Sequence, residues 1–179
     1  MPRFNLDPDH TSAEFNVRHM MVTWVAGQFS RVRGELRFDP LDVAASSVEA
    51  EIEVASLRTG VERRDKDLLS PNYFEVDRYP TIAFRSTRVE VEGFNDCLVY
   101  GELTIKGVTR PVTLEVRFAG PARFQDDDRL YTTYGFQAKT LVNREDFGLM
   151  TNLEIENRGF MVGKHAHLTI NAEADLIEE

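Results

Sequence analysis

The sequence predicts an all-β fold, a single antiparallel eight-stranded β-barrel with one or two short helices. Three observations predict it. Apolar and polar residues alternate over most of the chain, polar or glycine-containing breaks separate the alternating segments, and 179 residues is the length of one domain. Closure into a barrel is expected because about eight strands with short connections must otherwise leave exposed sheet edges. Residues 1–179 are therefore predicted to form one domain.

The strand predictions differ in strength along the chain. Alternation is clearest at 48–54, 112–118 and 168–176, where each segment has one apolar face and one polar face. Weaker patterns complete the set. Further strands are predicted at 13–19, 28–38, 81–92, 97–105 and 131–143.

One segment, residues 60–73, departs from this alternation. Charged residues dominate it, and Leu68 and Leu69 form a short apolar stripe. Pro71 limits how far a helix could continue, since proline restricts the residue before it. The pattern predicts a short helix over 61–69 and a second turn at 71–74.

Composition and charge exclude several classes of function. With 21 basic and 30 acidic side chains the formal net charge is −9, which disfavours nucleic acid as a partner. The longest apolar stretches are too short for an integral membrane segment. The first residues do not resemble a secretory signal, so we expect a cytoplasmic protein, or a periplasmic one if the chain is a processed form.

The inner faces of the predicted strands are rich in phenylalanine. An eight-stranded barrel is either filled by such side chains or wide enough to hold one small ligand. The sequence alone leaves both arrangements open. The candidate cavity residues are Phe15, Phe29, Phe38, Phe84, Phe136 and Phe147.

Three charged or polar residues at predicted strand ends are candidates for a polar end of such a cavity: His19, Arg64 and Arg144. Arg64 could instead form an ion pair with Asp65 that holds the helix to the barrel. Arg144 could pair with a carboxylate, or its guanidinium could bind an anionic head group in a bidentate manner. The sequence does not decide between these roles.

Residues that could support catalysis or metal binding form no strong motif. His165 and His167 are expected on one face of a strand and could bind zinc or copper, with His10 or His19 as a third ligand. The alternative is a solvent-facing pair. Cys97, the one cysteine, is interpreted as a small buried hydrophobe rather than a nucleophile. With no glycine-flanked serine and no phosphate-binding loop, neither an enzyme nor a cofactor is predicted.

Several segments, in this order, resemble the YceI-like family of polyisoprenoid-binding, lipocalin-like proteins. The stretch GELTIKGVTRPV at 101–112 is the most specific, and the match covers nearly the whole chain. The other segments are 7–15 (DPDHTSAEF), 17–19 (VRH), 27–29 (GQF), 38–40 (FDP), 56–60 (SLRTG), 64–68 (RDKDL), 79–87 (YPTIAFRST) and 143–148 (NREDFG).

This resemblance implies a lipocalin-like barrel with a helix at its side or mouth. It also implies an apolar tunnel for a long-chain isoprenoid-type lipid, such as a polyprenyl pyrophosphate or an isoprenoid quinone, or for a fatty-acid-like molecule. The family is not known for catalysis. The sequence departs from the family at 163–165, where Gly-Lys-His replaces the usual acidic residues.

Two other functions stay open at this level. One is a metal-binding protein or metalloenzyme that uses His165 and His167. The other is a structural module that forms a homodimer through an exposed sheet face around Trp24, Met20 and Met21. Dimer formation and lipid binding are compatible.

Overall fold

Strands make up most of the computed structural model, which describes residues 1–126, 129–151, 154–155 and 159–177. They are β1 (Arg3–Leu6), β2 (Ser12–His19), β3 (Thr23–Phe29), β4 (Val32–Arg37), β5 (Ser47–Glu53), β6 (Leu57–Arg58), β7 (Thr81–Val91), β8 (Asp96–Ile105), β9 (Val108–Asp126), β10 (Arg129–Asn143), β11 (Glu154–Ile155), β12 (Gly159–Phe160) and β13 (Val162–Leu176). The α-helix, α1, spans Glu62–Leu69.

The strands close into an eight-stranded antiparallel barrel, as predicted. The sheet order is β1-β4-β5-β7-β8-β9-β10-β13-β2-β3-β6, and β1 also pairs with β13, which closes the ring. Because β1 and β2 both lie along β13, they act as two halves of one barrel strand. β3 and β4 are likewise two halves of another. β11 and β12 pair with each other outside the ring.

The strand predicted at 28–38 is wrong in two respects, because β3 begins earlier, at Thr23, and the chain breaks between β3 and β4. β3 pairs with β2 and β6, whereas β4 pairs with β1 and β5, so Ser30 and Arg31 lie between two sets of partners. The alternation of apolar and polar residues does not show where a strand changes its neighbouring strands. β1 and β6 were not predicted, since four and two residues are too few to show a period.

The inner and outer faces of the barrel differ sharply in polarity. Cys97, Val99, Leu103 and Ile105 of β8 are all buried on the inner face. The outer face carries cross-strand ion pairs, such as Arg85 of β7 with Glu49 of β5 at 3.0 Å. Such exposed pairs stabilise a fold little, so burial of the inner face is the main source of stability.

Residues 59–80, which we name the cap, cover one end of the barrel. Within the cap, α1 begins one residue later than predicted. The second turn predicted at 71–74 is confirmed, and in it the amide of Tyr73 donates to the Ser70 carbonyl at 3.1 Å. Leu68, Tyr73 and Phe74 pack against the barrel interior.

The ion pair expected between Arg64 and Asp65 is replaced by contacts with Thr59. The Asp65 carboxylate accepts bonds from the Thr59 amide at 2.9 Å and from its hydroxyl at 2.5 Å. Arg64 donates to the Thr59 hydroxyl and carbonyl at 2.8 and 3.0 Å. Both charged side chains therefore fasten α1 to the segment that precedes it.

We name the opposite end of the barrel the far end, and aromatic rings fill much of it. The Phe38 ring lies 5.0 Å from Tyr134, 5.1 Å from Phe118 and 5.3 Å from Phe136, in edge-to-face geometry. Phe4 joins this cluster. No helix in the described part of the chain is long and apolar enough to cross a membrane.

Candidate functional site: a cavity inside the barrel

A cavity of about 270 Å³ lies inside the barrel, between the cap and the far-end aromatic cluster. Every barrel strand contributes inward-facing residues to its wall, and the cap contributes Leu68, Tyr73 and Phe74. The wall surface is almost entirely carbon. The volume is slightly below the range of about 300–1,000 Å³ that is usual for small-molecule sites. The barrel is therefore hollow, which the sequence had left open.

All six candidate phenylalanines line this cavity: Phe15, Phe29, Phe38, Phe84, Phe136 and Phe147. Phe29 packs against Phe74 of the cap, with the ring centroids 5.7 Å apart. Phe38 and Phe136 stand at the far end, and Phe147 lies near the cap. Contact of these rings with a ligand stays a prediction.

Two of these rings lie over glycines of neighbouring strands. A Cβ at Gly27 would overlap the Phe15 ring, and a Cβ at Gly101 would overlap the Phe84 ring. The absence of a side chain at each glycine lets the ring lie flat along the wall instead of projecting into the cavity. The two glycines therefore help to keep the barrel hollow.

Arg144 lines the cavity near the cap, but its guanidinium is committed to the protein backbone. It donates to the carbonyls of Gly163 at 2.9 Å, Thr151 at 3.3 Å, Val162 at 3.3 Å, and Leu149. No carboxylate lies within ion-pair distance of it in the described residues, where its partners are these four carbonyls. They use four of its five N–H groups, and the fifth has no partner among the described residues.

Local sequence explains how Arg144 reaches this position. The Asn143 side chain accepts a bond from the Glu145 amide at 3.1 Å, and Gly148 adopts a left-handed conformation with φ 75°. Together they form a 3-10 turn, Arg144–Phe147, that directs both Arg144 and Phe147 inward. Burial lowers the pKa of Arg144, while Tyr73 and Glu145 nearby oppose that shift.

The other two candidates for a polar end do not line the cavity. Arg64 is engaged with Thr59, as described above. His19 ends β2, two residues beyond Val17, which does line the wall. Conversely, Tyr73 and Leu149 line the cavity but were not predicted as site residues. They lie outside the long strands, so no alternation marked them. Burial raises the pKa of Tyr73, and Arg144 opposes that shift.

The histidines do not form the metal site that was considered. His165 and His167 share the outer face of β13, exposed on either side of buried Ala166. The His167 ring packs edge-on against Trp24, with centroids 5.2 Å apart. Within the described residues the structure gathers no third ligand around this pair.

His10 lies elsewhere, beside Asp7 and Glu173. Its Nδ1 is 2.5 Å from the Asp7 carboxylate and 3.7 Å from that of Glu173. The hydrogen bond to Asp7 raises the pKa of His10 and lowers the pKa of Asp7. The group is exposed, and a surface ion pair accounts for its geometry.

Cys97 is buried on the cavity wall. Burial, and then the neighbouring Asp96 charge, raise the pKa of its thiol. A thiol with a raised pKa is protonated at neutral pH and is a poor nucleophile. Its packing matches the prediction of a small hydrophobe.

A closed antiparallel barrel around a carbon-lined cavity places this chain among the lipocalin-like barrels. The chain belongs to the YceI-like family, whose domain model matches residues 4–174.

Known proteins are similar over nearly the full chain. A UPF0312 protein of Staphylococcus aureus (strain N315) is 32% identical over 178 residues, which cover 99% of this chain and 100% of that protein. Crystalline BcnA of Burkholderia cenocepacia shares the fold, with TM-score 0.79, 24% identity, and coverage of 94% and 98% of the two chains. A polyisoprenoid-binding domain from Saccharophagus degradans does so with TM-score 0.69, 14% identity, and coverage of 99% and 100%.

Proposed function

We propose that this chain binds and carries a long-chain lipid of the isoprenoid type, with the lipid tail inside the barrel. The observation that carries this proposal is the carbon-lined cavity, to which every barrel strand contributes. Family membership supports it, as does the fold shared with a domain that binds polyisoprenoids.

The physical driving force for such binding is transfer of the tail out of water. Each buried methylene contributes about 0.8 kcal/mol. Association costs about 4–15 kcal/mol in lost translational and rotational freedom. A tail of many carbons therefore binds through burial alone, without a polar contact inside the cavity.

The head group lies at the cap end in this proposal, beside Arg144 and Tyr73. Both line the cavity there and carry polar donors, a guanidinium N–H and a phenol hydroxyl, and the Thr140 hydroxyl lies further along the wall. One or two donors suit a quinone carbonyl or a carboxylate. A pyrophosphate requires more cationic groups than the described wall provides, so we favour a quinone-like or carboxylate head group.

The chemistry of the wall supports a binding role rather than catalysis. In the described part of the chain no histidine lines the cavity, so Cys97 has no imidazole base beside it. Its raised pKa also disfavours the thiolate. General acid–base and nucleophilic catalysis both need a donor and acceptor of matched pKa in contact.

Native mass spectrometry of freshly purified protein, paired with organic extraction of the same sample, tests the proposal. We expect a stoichiometric adduct that extracts as a long-chain lipid. Delipidated protein should also bind a fluorescent long-chain fatty acid in solution.

Two leucine substitutions make a matched pair for this assay. Ala138→Leu adds atoms to the cavity wall and should weaken binding at least about tenfold, since the lost space excludes several methylenes. Ala119→Leu, exposed on the outer face of β9, should bind like the wild type. Equal binding by both variants, or no uptake by the wild type, would overturn the proposal.

A further inference from the structure

The hairpin between β2 and β3 ends in an exposed apolar tip formed by Met20, Met21, Val22 and Trp24. Their exposed fractions are 42%, 45%, 77% and 49%. Met150, which follows the cavity residue Leu149 in sequence, is also exposed. Contiguous exposed apolar side chains usually mark an interaction site.

The backbone conformation of the tip is one that methionine rarely adopts. The Val22 amide donates to the His19 carbonyl at 3.0 Å, and Met20 and Met21 have φ values of 49° and 60°. This is a type I′ turn, which asparagine and glycine favour because both central residues need positive φ. Two methionines here are unfavourable for the turn and for solubility alike, which indicates selection for another property.

The tip lies at the rim of the cavity. Val17 precedes the tip on β2, and Val162 begins β13 beside the tip. Both residues line the cavity. The Met20 amide donates to the Met161 carbonyl at 2.7 Å, which fixes the tip to the start of β13. A surface that contacts the tip therefore lies beside the cap end of the barrel.

The tip of the β2–β3 hairpin itself carries no negative charge. The formal net charge of the chain is −9, yet no acidic residue occurs between Glu14 and Glu35. The Arg18 guanidinium lies over the Trp24 ring, 5.0 Å from its centroid, with no carboxylate at ion-pair distance in the described residues. His165 and His167 are exposed on the adjacent strand.

We propose that the β2–β3 hairpin tip docks on the surface of a lipid bilayer with anionic head groups. Tryptophan and arginine beside exposed apolar side chains match the bilayer interface, where ring and alkyl groups enter and cations meet lipid phosphates. A second copy of this chain is a poorer partner, because it would place one Arg18 against another. The inference rests on the proposed function, since a carried long-chain lipid must be taken from or delivered to a membrane.

Trp24 provides a direct probe, as it is the one tryptophan of the chain. We expect its fluorescence to shift to shorter wavelength with vesicles of phosphatidylcholine and phosphatidylglycerol, and to shift less with phosphatidylcholine alone. Vesicle flotation should report the same order of affinity. Absence of a shift and of flotation with both vesicles would overturn the inference.

The double variant Met20→Asn with Met21→Gly separates docking from folding. It installs the residues that a type I′ turn favours, so the thermal unfolding temperature should stay level or rise. Vesicle affinity should fall at least about tenfold, because two apolar side chains no longer enter the bilayer. Phe94→Ser, which removes an exposed ring from the β7–β8 hairpin, is the control and should bind vesicles like the wild type.

Other outcomes of this experiment each decide the matter. Wild-type affinity in the double variant would overturn the inference. A wild-type dimer in sedimentation that the double variant dissociates, without vesicle binding, would assign the tip to a second copy of the chain. Fatty-acid uptake in solution should be equal in all variants, because the tip lies outside the cavity. Absence of uptake in the wild type would contradict the proposed function, whereas absence of vesicle binding with normal uptake would contradict docking only.

Discussion

At the cap end of the barrel, apolar packing is combined with hydrogen bonds from side chains to backbone, whereas at the far end the contacts are between aromatic rings. Leu68, Tyr73 and Phe74 of the cap pack on the barrel interior, the Arg144 guanidinium donates to the carbonyls around Gly163, and the Thr151 hydroxyl donates to the Asn72 carbonyl of the cap. Phe38 is central to the far end, where it touches Phe118 and three other rings.

This difference indicates which end can open. Opening the cap end exposes Leu68, Tyr73 and Phe74, but water can replace the hydrogen bonds there as each contact breaks, so local opening costs less than at the far end. The aromatic cluster must separate as a unit and leave apolar surface exposed. We therefore expect a ligand to pass at the cap end while the far end stays closed.

The largest expected effect comes from breaking the far end with Phe38→Ala. Phe38 is 2% exposed, and its removal leaves a cavity among four rings. We expect a loss of about 3–5 kcal/mol in the free energy of unfolding, measured by urea denaturation. Phe94→Ala, at a ring that is 96% exposed, is the control and should change stability by less than about 0.5 kcal/mol. Similar losses for both would show that the cluster does not close the barrel.

A smaller loss is expected at the cap end for Arg144→Met. The apolar part of the side chain is kept, but four carbonyls lose their donor, at a cost of about 3 kcal/mol after partial hydration. Hydrogen exchange should accelerate around Leu149 and Gly163 more than at the far end. Lys164→Met, at an exposed pair with Glu145, should cost less than about 1 kcal/mol. Uniform acceleration across the barrel would contradict a separate cap-end clamp.

Between the two ends, Gly27→Ala tests the smooth wall of the cavity. The new Cβ displaces the Phe15 ring inward, so we expect a loss of about 1–3 kcal/mol and weaker fatty-acid binding. At Gly135 a Cβ meets nothing within 4 Å, so Gly135→Ala is a matched control and should be nearly neutral. Unchanged binding in Gly27→Ala would contradict a ligand beside Phe15.

The smallest expected effect is a pH dependence from His10 and Asp7, which belong to neither end. The pKa of His10 is higher in the folded than in the unfolded protein, so His10 stabilises the fold fully when the pH is below its unfolded pKa of about 6.5. That stabilisation is lost as the pH rises through the folded pKa. The pKa of Asp7 is lower in the folded protein, so Asp7 stabilises the fold fully when the pH is above its unfolded pKa of about 3.9. That stabilisation is lost as the pH falls through the folded pKa. The pair therefore stabilises most between about pH 4 and 6.5.

Substitution of Asp7 tests the direction of this pH dependence. In Asp7→Asn the pKa of His10 should fall back toward its ordinary value, which a proton NMR titration of the imidazole measures directly. The stability difference from the wild type should disappear at alkaline pH. An unchanged His10 titration would show that Asp7 is not its partner.

The strands and helix were predictable because their signals are local. Alternation located β5, β8 and β13, and clustered charges before Pro71 located α1. The break between β3 and β4 was not predictable, since it follows from a change of neighbouring strands. Phe15, Phe29, Phe84 and Phe136 of the cavity wall were predictable for the same local reason, since their positions in strands fix which face they occupy. Phe38 follows β4 and Phe147 lies in the 3-10 turn, so alternation does not explain their placement.

The polar candidates show the limit of this reasoning. Arg144, Arg64 and His19 were chosen because they are charged or polar near strand ends, yet only Arg144 lines the cavity. A guanidinium bonds to whatever acceptors surround it, and for Arg144 these are carbonyls from residues 5 to 19 positions later. No local pattern contains that information.

By itself, then, the sequence determined the all-β fold class, the alternation that gives the barrel an apolar interior, and which residues lie on the inner face of the barrel. Those properties depend on the two-residue period of a strand, which is local. Tertiary structure decided that the barrel is hollow, that Arg144 clamps backbone carbonyls, and that the hairpin tip stands exposed at the cavity rim. Those properties depend on how side chains from distant strands share one interior, because a few ångströms in the position of a ring decide whether space is filled or left open.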